Sequence, residues 1–236
     1  MSFSLTELPA GHLEGSSVEE VLEWAFDRFG SEIALGSSFG LEDVALIHMA
    51  TTVRSDLRIF TLDTGRLHQA TYDVMDRIRN RYGVEIEVLF PQSARVEAMV
   101  RTKGVNLFYD SVENRRQCCF VRKVEPLKRY LAKLNAWITG LRRDQNVTRS
   151  LLQTVEIDAA NGGIAKINPL ADWSFEKVLQ YVKDHRVPYS SLHDEGYPSV
   201  GCEPCTRAIK TGDDPRSGRW WWETTEAREC GLHRNV

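Results

Sequence analysis

In SSVEEVLEWAFDRFG, the apolar residues Val18, Val21, Leu22, Ala25 and Phe26 recur at helical spacing, behind a serine cap and ahead of a closing Gly30. EIALGSS then reads as a short buried strand and LEDVALIHMA as a helix. The order repeats with strand LRIFTLD, helix LHQATYDVMDRIRNRYG and strand EIEVLF. A helix from about Ser93 to Lys103 and another from about Ser111 to Leu134 lead into a fourth strand, AWITG. Strands that alternate with helices predict an α/β fold, a parallel sheet covered on both faces. Ligands of such folds sit beyond the carboxyl ends of the strands.

The last third departs from this pattern. NPLADWSFEKVLQYVKDHRV supplies one more helix after a turn. Beyond Pro188 the chain is rich in Gly, Pro, Asp and Arg, with RWWWE in its midst, so an irregular C-terminal segment lying over the sheet is expected, part of it mobile. The expected division is a nucleotide-binding α/β domain over residues 1–200 and a C-terminal segment over 201–236. No apolar run approaches the ~20 residues of a membrane helix, and the N-terminus lacks the features of a signal peptide. A cytoplasmic protein with reduced thiols is expected. The net charge of −3 over 236 residues argues against general nucleic-acid affinity. Positive charge is concentrated locally, in Arg115, Arg116, Arg122, Lys123, Arg142, Arg143 and Arg149.

Three strand ends carry polar, glycine-containing turns: GSSFGLED (Gly36–Asp43), LDTGR (Leu62–Arg66) and ITGLRRDQ (Ile138–Gln145). Each alone reads as an ordinary turn; together they favour one rim around a nucleotide cleft, with backbone N–H groups and a helix N-terminus offered to an anion. The first turn is not the glycine-lysine loop of Walker-type ATPases. There are five cysteines: Cys118 and Cys119 side by side, Cys202 and Cys205 in a C-x-x-C, and Cys230 in ECGLH near the terminus. The C-x-x-C spacing offers two thiolates to a metal, and the adjacent pair offers two more. Neighbours on a helix diverge by about 100°, so both reach one centre only if it is wide or the helix distorts. A [4Fe–4S] cube tolerates this better than one zinc ion; zinc, a redox C-x-x-C and buried structural thiols remain alternatives. Cys230, on a glycine-containing tail, is a candidate nucleophile, with His233 able to activate it or bind an anion.

SSFGLED, LDTGR, CCFVRKVEPL, TGLRRDQ, GCEPC, GRWWWE and ECGLH, in this order, resemble the assimilatory adenylyl-sulfate reductases, the iron–sulfur branch of the adenylyl- and phosphoadenylyl-sulfate reductase family. The resemblance implies an adenine-nucleotide α-hydrolase-like fold, with adenosine 5′-phosphosulfate as substrate, sulfite and AMP as products and thioredoxin as reductant. It implies that Cys118, Cys119, Cys202 and Cys205 ligate a [4Fe–4S] cluster and that Cys230 is the nucleophile. Ser37, Ser38, Phe39 and Gly40, with Leu62, Thr64 and Gly65, would hold the nucleotide. Lys123, Arg142, Arg149, Arg216, Arg219 and His233 would face the phosphosulfate. A homo-oligomer without nucleic-acid or membrane partners is expected. A 3′-phosphorylated or dual substrate is the alternative within the family. The transfer-RNA-thiolating relatives of the fold, which usually carry S-G-G-x-D-S in place of SSFGLED, are a remote one, and a non-catalytic metal module would leave Cys230 and the rim unexplained.

Overall fold

The computed structural model describes Gly11 and residues 13–145 and 149–224. Helix α1 (Val18–Phe29) starts at a full capping box, in which the Ser17 side chain accepts from Glu20 N and the Glu20 carboxylate accepts from Ser17 N. Then come β1 (Ile33–Gly36), α2 (Leu41–Val53), β2 (Ile59–Leu62), α3 (Gln69–Tyr82), β3 (Ile86–Leu89) and α4 (Ser93–Lys103). The cysteine-bearing helix α5 (Val112–Cys119) passes through a π-helical turn (Phe120–Val124) into α6 (Glu125–Leu131) and β4 (Ala136–Ile138). The chain continues with β5 (Val155–Asp158), β6 (Ile164–Ile167) and α7 (Phe175–Asp184). From His185 to Glu223 it is irregular, with two short 3-10 turns.

The sheet order is β3-β2-β1-β4-β6-β5. All neighbours are parallel except β5, which runs antiparallel to β6 with Val155 opposite Ile167 and Asp158 opposite Ile164. This hairpin was not predicted. Its strands are only four residues long, too short for an alternation to stand out; Glu156 and Lys166 pair across them at 2.8 Å. Lys166 is buried, so its ammonium is tolerated only because the partner carboxylate is there.

The strand period of two sorts the core. Ile33, Leu35, Ile59, Ala136 and Ile138 face one side, packed by α1, α2, α3 and α7. Ala34, Phe60 and Trp137 face the other, under Leu127, Tyr130 and Leu131 of α6. A third apolar layer lies beside the sheet: Met99, Leu107, Phe108, Cys118, Val121, Cys205 and Trp220, with Cys202 and Trp222 packed against it. Among the described residues no helix is long and apolar enough to cross a membrane.

Candidate functional site

A cleft of about 490 Å³ opens at the carboxyl ends of β1, β2 and β4. Its floor is the turn after β1. There Phe39 adopts φ +59°, a conformation that side chains rarely take. Burial of its ring in the core, at 2% exposure, offsets the strain. Phe39 N donates to Ser37 Oγ at 3.0 Å. Ser38 donates to Asp43 Oδ2 through its backbone N (2.6 Å) and its hydroxyl (2.7 Å). Burial raises the Asp43 pKa to about 6, against the pull of those two Ser38 bonds. Gly140 closes on this carboxylate: a Cβ there would stand 2.5 Å from Asp43 Oδ1, so the turn after β4 admits no side chain.

The β4 turn is tied to α2 by a polar chain. Glu42 Oε1 accepts from Arg142 Nε (3.0 Å), Arg142 NH2 (2.9 Å) and Gln145 Nε2 (2.9 Å). Arg142 also donates to Asp144 and to the Trp173 carbonyl, and it lies over the Phe175 ring. Arg149 donates to Gln145 Oε1. Ser37, Ser38, Gly40, Leu62, Lys123, Arg142, Arg149, Arg216 and Arg219 line the cleft. Arg142, buried at 3%, does so while engaged with carboxylates of the protein. Phe39 is a core anchor. Cys230 and His233 lie outside the described residues.

Thr64 and Gly65 sit on the other side of the LDTGR turn, against the cysteines. Thr64 Oγ1 lies 3.3 Å from Cys202 Sγ, and Leu67 forms an antiparallel bridge with Cys202. Asp63 shapes the turn by accepting from Gly65 N (2.7 Å) and from the Tyr72 hydroxyl. Arg122 NH1 donates to the Thr64 carbonyl at 2.6 Å. The turn therefore has two faces, Leu62 to the cleft and Thr64 to the thiols.

The four described cysteines are free thiols: Cys118 and Cys205 sit in the third apolar layer, Cys202 packs against it, and Cys119, next to Cys118 in the chain, lies against Arg115. The π-helical turn begins immediately after Cys119, which itself keeps helical backbone angles, φ −62° and ψ −39°. Burial raises the Cys118 thiol, and Arg122 draws it back. Burial, then the neighbouring Cys202, raise Cys205 to about 12, with Lys123 and Arg219 pulling the other way. Arg115 contacts Cys119 and is held by Glu223 through Nε–Oε1 (2.9 Å) and NH2–Oε2 (2.6 Å). Both ends of this ion pair are at most 2% exposed. Arg115 and Arg219 stack over Trp220, at 4.6 and 4.7 Å from its ring centroid.

Three buried donors around these thiols, Arg122 Nε, Trp220 Nε1 and Trp222 Nε1, have no acceptor. Each such group costs about 1–3 kcal/mol. Among the described residues no three His, Cys, Asp or Glu side chains are placed to hold a single metal ion. Four sulfur ligands with unanswered N–H groups beside them suit, by their chemistry, a larger anionic group that carries acceptor atoms of its own.

Reading the sequence missed Glu42, Asp43 and Gln145 as parts of the site, although all three stand inside the quoted turn motifs. It also missed the cleft wall at Pro198–Gly201, a stretch with no periodic or chemical signal.

The chain matches the phosphoadenosine phosphosulfate reductase domain family over residues 32–208. It is 52% identical over 202 residues to the adenosine 5′-phosphosulfate reductase of Burkholderia cepacia, covering 86% of this chain and 80% of that one. The identity is 44% over 234 residues to the protein of the same name from Pseudomonas aeruginosa strain LESB58, covering 96% and 86%. Among solved structures, the phosphoadenylyl-sulfate (PAPS) reductase of Candida auris, in its phosphate complex, superposes with a TM-score of 0.74 at 28% identity, covering 89% of this chain and 100% of that one. Candida glabrata FMN adenylyltransferase shares the fold alone, with a TM-score of 0.56 at 13% identity over 90% of this chain and 72% of its own.

Proposed function

The chain belongs to the phosphoadenosine phosphosulfate reductase family, and from that premise we propose that it reduces adenosine 5′-phosphosulfate to sulfite and AMP in sulfate assimilation. The observation that carries this reading is the position of Lys123. It lines the strand-end cleft and acts electrostatically on Cys205, so one cation serves both the nucleotide side and the thiol side. Ser37, Ser38, Gly40 and Leu62 hold the nucleotide on the cleft floor, and Arg149, Arg216, Arg219 and Lys123 receive the phosphosulfate. Arg142 acts through Glu42, keeping the β4 turn against α2.

Cys118, Cys119, Cys202 and Cys205 hold a [4Fe–4S] cluster in this reading, with the three unanswered donors as its hydrogen-bonding surround. When bound, the cluster supplies a fixed charge distribution beside the cleft. Residues 1–200 carry most of the nucleotide cleft and the paired cysteines, and residues 201–236 the C-x-x-C, the nucleophile and the cleft arginines Arg216 and Arg219.

The Cys230 thiolate attacks the sulfur of the phosphosulfate. The bond from that sulfur to the bridging oxygen breaks, AMP leaves with the electron pair, and Cys230 becomes an S-sulfonate. A thiolate of a reduced dithiol protein of the thioredoxin class then attacks Cys230 Sγ and expels sulfite. Its second thiol displaces Cys230, which regains its thiolate; sulfur has gained two electrons and the dithiol has become a disulfide. The protein acts in the cytoplasm, as a homo-oligomer.

The test is sulfite release from anaerobically purified protein with thioredoxin, using the nucleotide with and without its 3′-phosphate. Higher kcat/KM is expected without the 3′-phosphate. Omitting thioredoxin should release one AMP per site and leave a sulfonate on the Cys230 peptide, read by mass spectrometry. An adduct on another cysteine, or near-normal turnover by Cys230→Ser, defeats the mechanism. Equal or better use of the 3′-phosphorylated nucleotide defeats the substrate assignment.

A further inference from the structure

His193 lines the cleft and takes no part in the mechanism above. It belongs to the irregular segment that builds one wall, upstream of Pro198, Ser199, Val200 and Gly201. Its Nδ1 lies 2.8 Å from the carbonyl oxygen of Tyr197. A carbonyl only accepts, so Nδ1 carries the proton. In the neutral ring Nε2 then presents a bare lone pair. That Nε2 is buried, and no described residue donates to it. Burial holds the imidazole below its ordinary pKa, although the Tyr197 carbonyl, Glu42 and Asp194 pull the other way. At neutral pH the ring is therefore an acceptor with its tautomer fixed by the backbone.

A buried acceptor without a donor costs about 1–3 kcal/mol, so a fold that keeps one beside a ligand cleft leaves a place for the ligand to answer it. The cations of the rim recognise phosphate and sulfate, and of its other polar groups Ser38, Glu42, Asp43 and Gln145 are already engaged with one another or with Arg142. We propose that His193 is a substrate-recognition residue, whose Nε2 accepts a hydrogen bond from an N–H or O–H donor of the nucleoside part of the bound nucleotide. This inference rests on the nucleotide reading of the cleft. Three groups supply such a donor: the exocyclic amino group of adenine, the 2′-hydroxyl and the 3′-hydroxyl.

The experiment is calorimetric titration of the anaerobically purified full chain with AMP, 2′-deoxy-AMP, 3′-deoxy-AMP and purine riboside 5′-monophosphate. It is run on the wild type and on His193→Asn. The asparagine amide can still donate to Tyr197, keeping the wall, but has nothing where Nε2 was. His193→Asn should weaken AMP binding roughly 2- to 12-fold, the range of one hydrogen bond. One analogue should lose a similar factor in the wild type and no further factor in the variant, and that analogue names the donor. Unchanged AMP affinity in a folded His193→Asn, or equal additional losses for all three analogues, overturns the inference and leaves the cleft assignment standing. Absence of AMP binding by the wild type overturns both. A second measurement uses wild-type protein only: the ¹⁵N shift of His193 Nε2 should move away from its lone-pair position when AMP is added. No movement at saturating AMP counts against the proposal even if the variant fails to fold.

Discussion

The strand-end cleft and the cysteine layer share Lys123 and the LDTGR turn, but they satisfy their polar atoms differently. In the cleft, Ser38 is answered by Asp43, and Arg142 and Gln145 by Glu42. Apart from the bare His193 Nε2, these hydrogen bonds close within the protein, so the frame of the cleft exists before a ligand arrives. In the cysteine layer, buried donors of Arg122, Trp220 and Trp222 have no acceptor, and burial raises the Cys118 and Cys205 thiols. An exchangeable substrate needs the first arrangement, because a site that folds only around its ligand spends binding energy on folding. A resident group suits the second, because its binding free energy becomes folding free energy.

The strongest way to break this contrast is to remove a ligand of the proposed cluster. Cys118→Ser or Cys205→Ser should abolish stoichiometric iron and sulfide, and limited proteolysis should then cut within the segment after Gly201. AMP binding should survive within a few-fold. Loss of AMP binding together with the iron would show that the two regions fold as one unit. Next in size is the buried ion pair. Glu223→Ala leaves the Arg115 guanidinium uncompensated and should cost about 3–5 kcal/mol in urea unfolding. A paired Arg115→Leu, Glu223→Leu replacement should recover much of that loss.

Asp43 sharpens the contrast through pH. Its folded pKa, about 6, lies above the ordinary value of 3.8, so between those values the folded state holds a proton that the unfolded state has released. The stabilisation is full below pH 3.8 and is lost as pH rises through 6, by about 3 kcal/mol in all. Asp43→Asn keeps an oxygen for Ser38 and removes the titration, so the falling slope of stability between about pH 4 and 6 should flatten in denaturant titrations. The smallest expected effect is that of Gly140→Ala. Its methyl group would press on Asp43 and Glu42, costing about 1–3 kcal/mol and weakening AMP binding without loss of iron.

The helices and the strands β1 to β4 were legible because their apolar spacing follows from burial alone. The π-helical turn after Cys119 was not, since Ser111–Leu134 reads as one periodic stretch and the change of hydrogen-bond register leaves no mark in side-chain polarity. The β5–β6 hairpin was hidden because its strands are only four residues long and the buried charge of Lys166 finds its partner Glu156 only across the strands. Within the site, the turn motifs drew attention to the right loops. They did not say that Thr64 faces Cys202 while Leu62 faces the cleft, or that Arg142 is held by Glu42.

What the sequence determined by itself is local chemistry: which residue types are present, which stretches must bury a face, and where small residues let the backbone turn. The five cysteines and the three polar strand ends are of this kind. The tertiary structure alone decided who answers whom. Arg115 meets Glu223 across 108 positions, Arg142 meets Glu42 across 100, and His193 keeps its Nε2 unanswered beside the cleft. Hydrogen bonding and charge pairing depend on ångström distances between atoms that the chain order leaves far apart, whereas burial depends on a periodicity that the chain order carries directly.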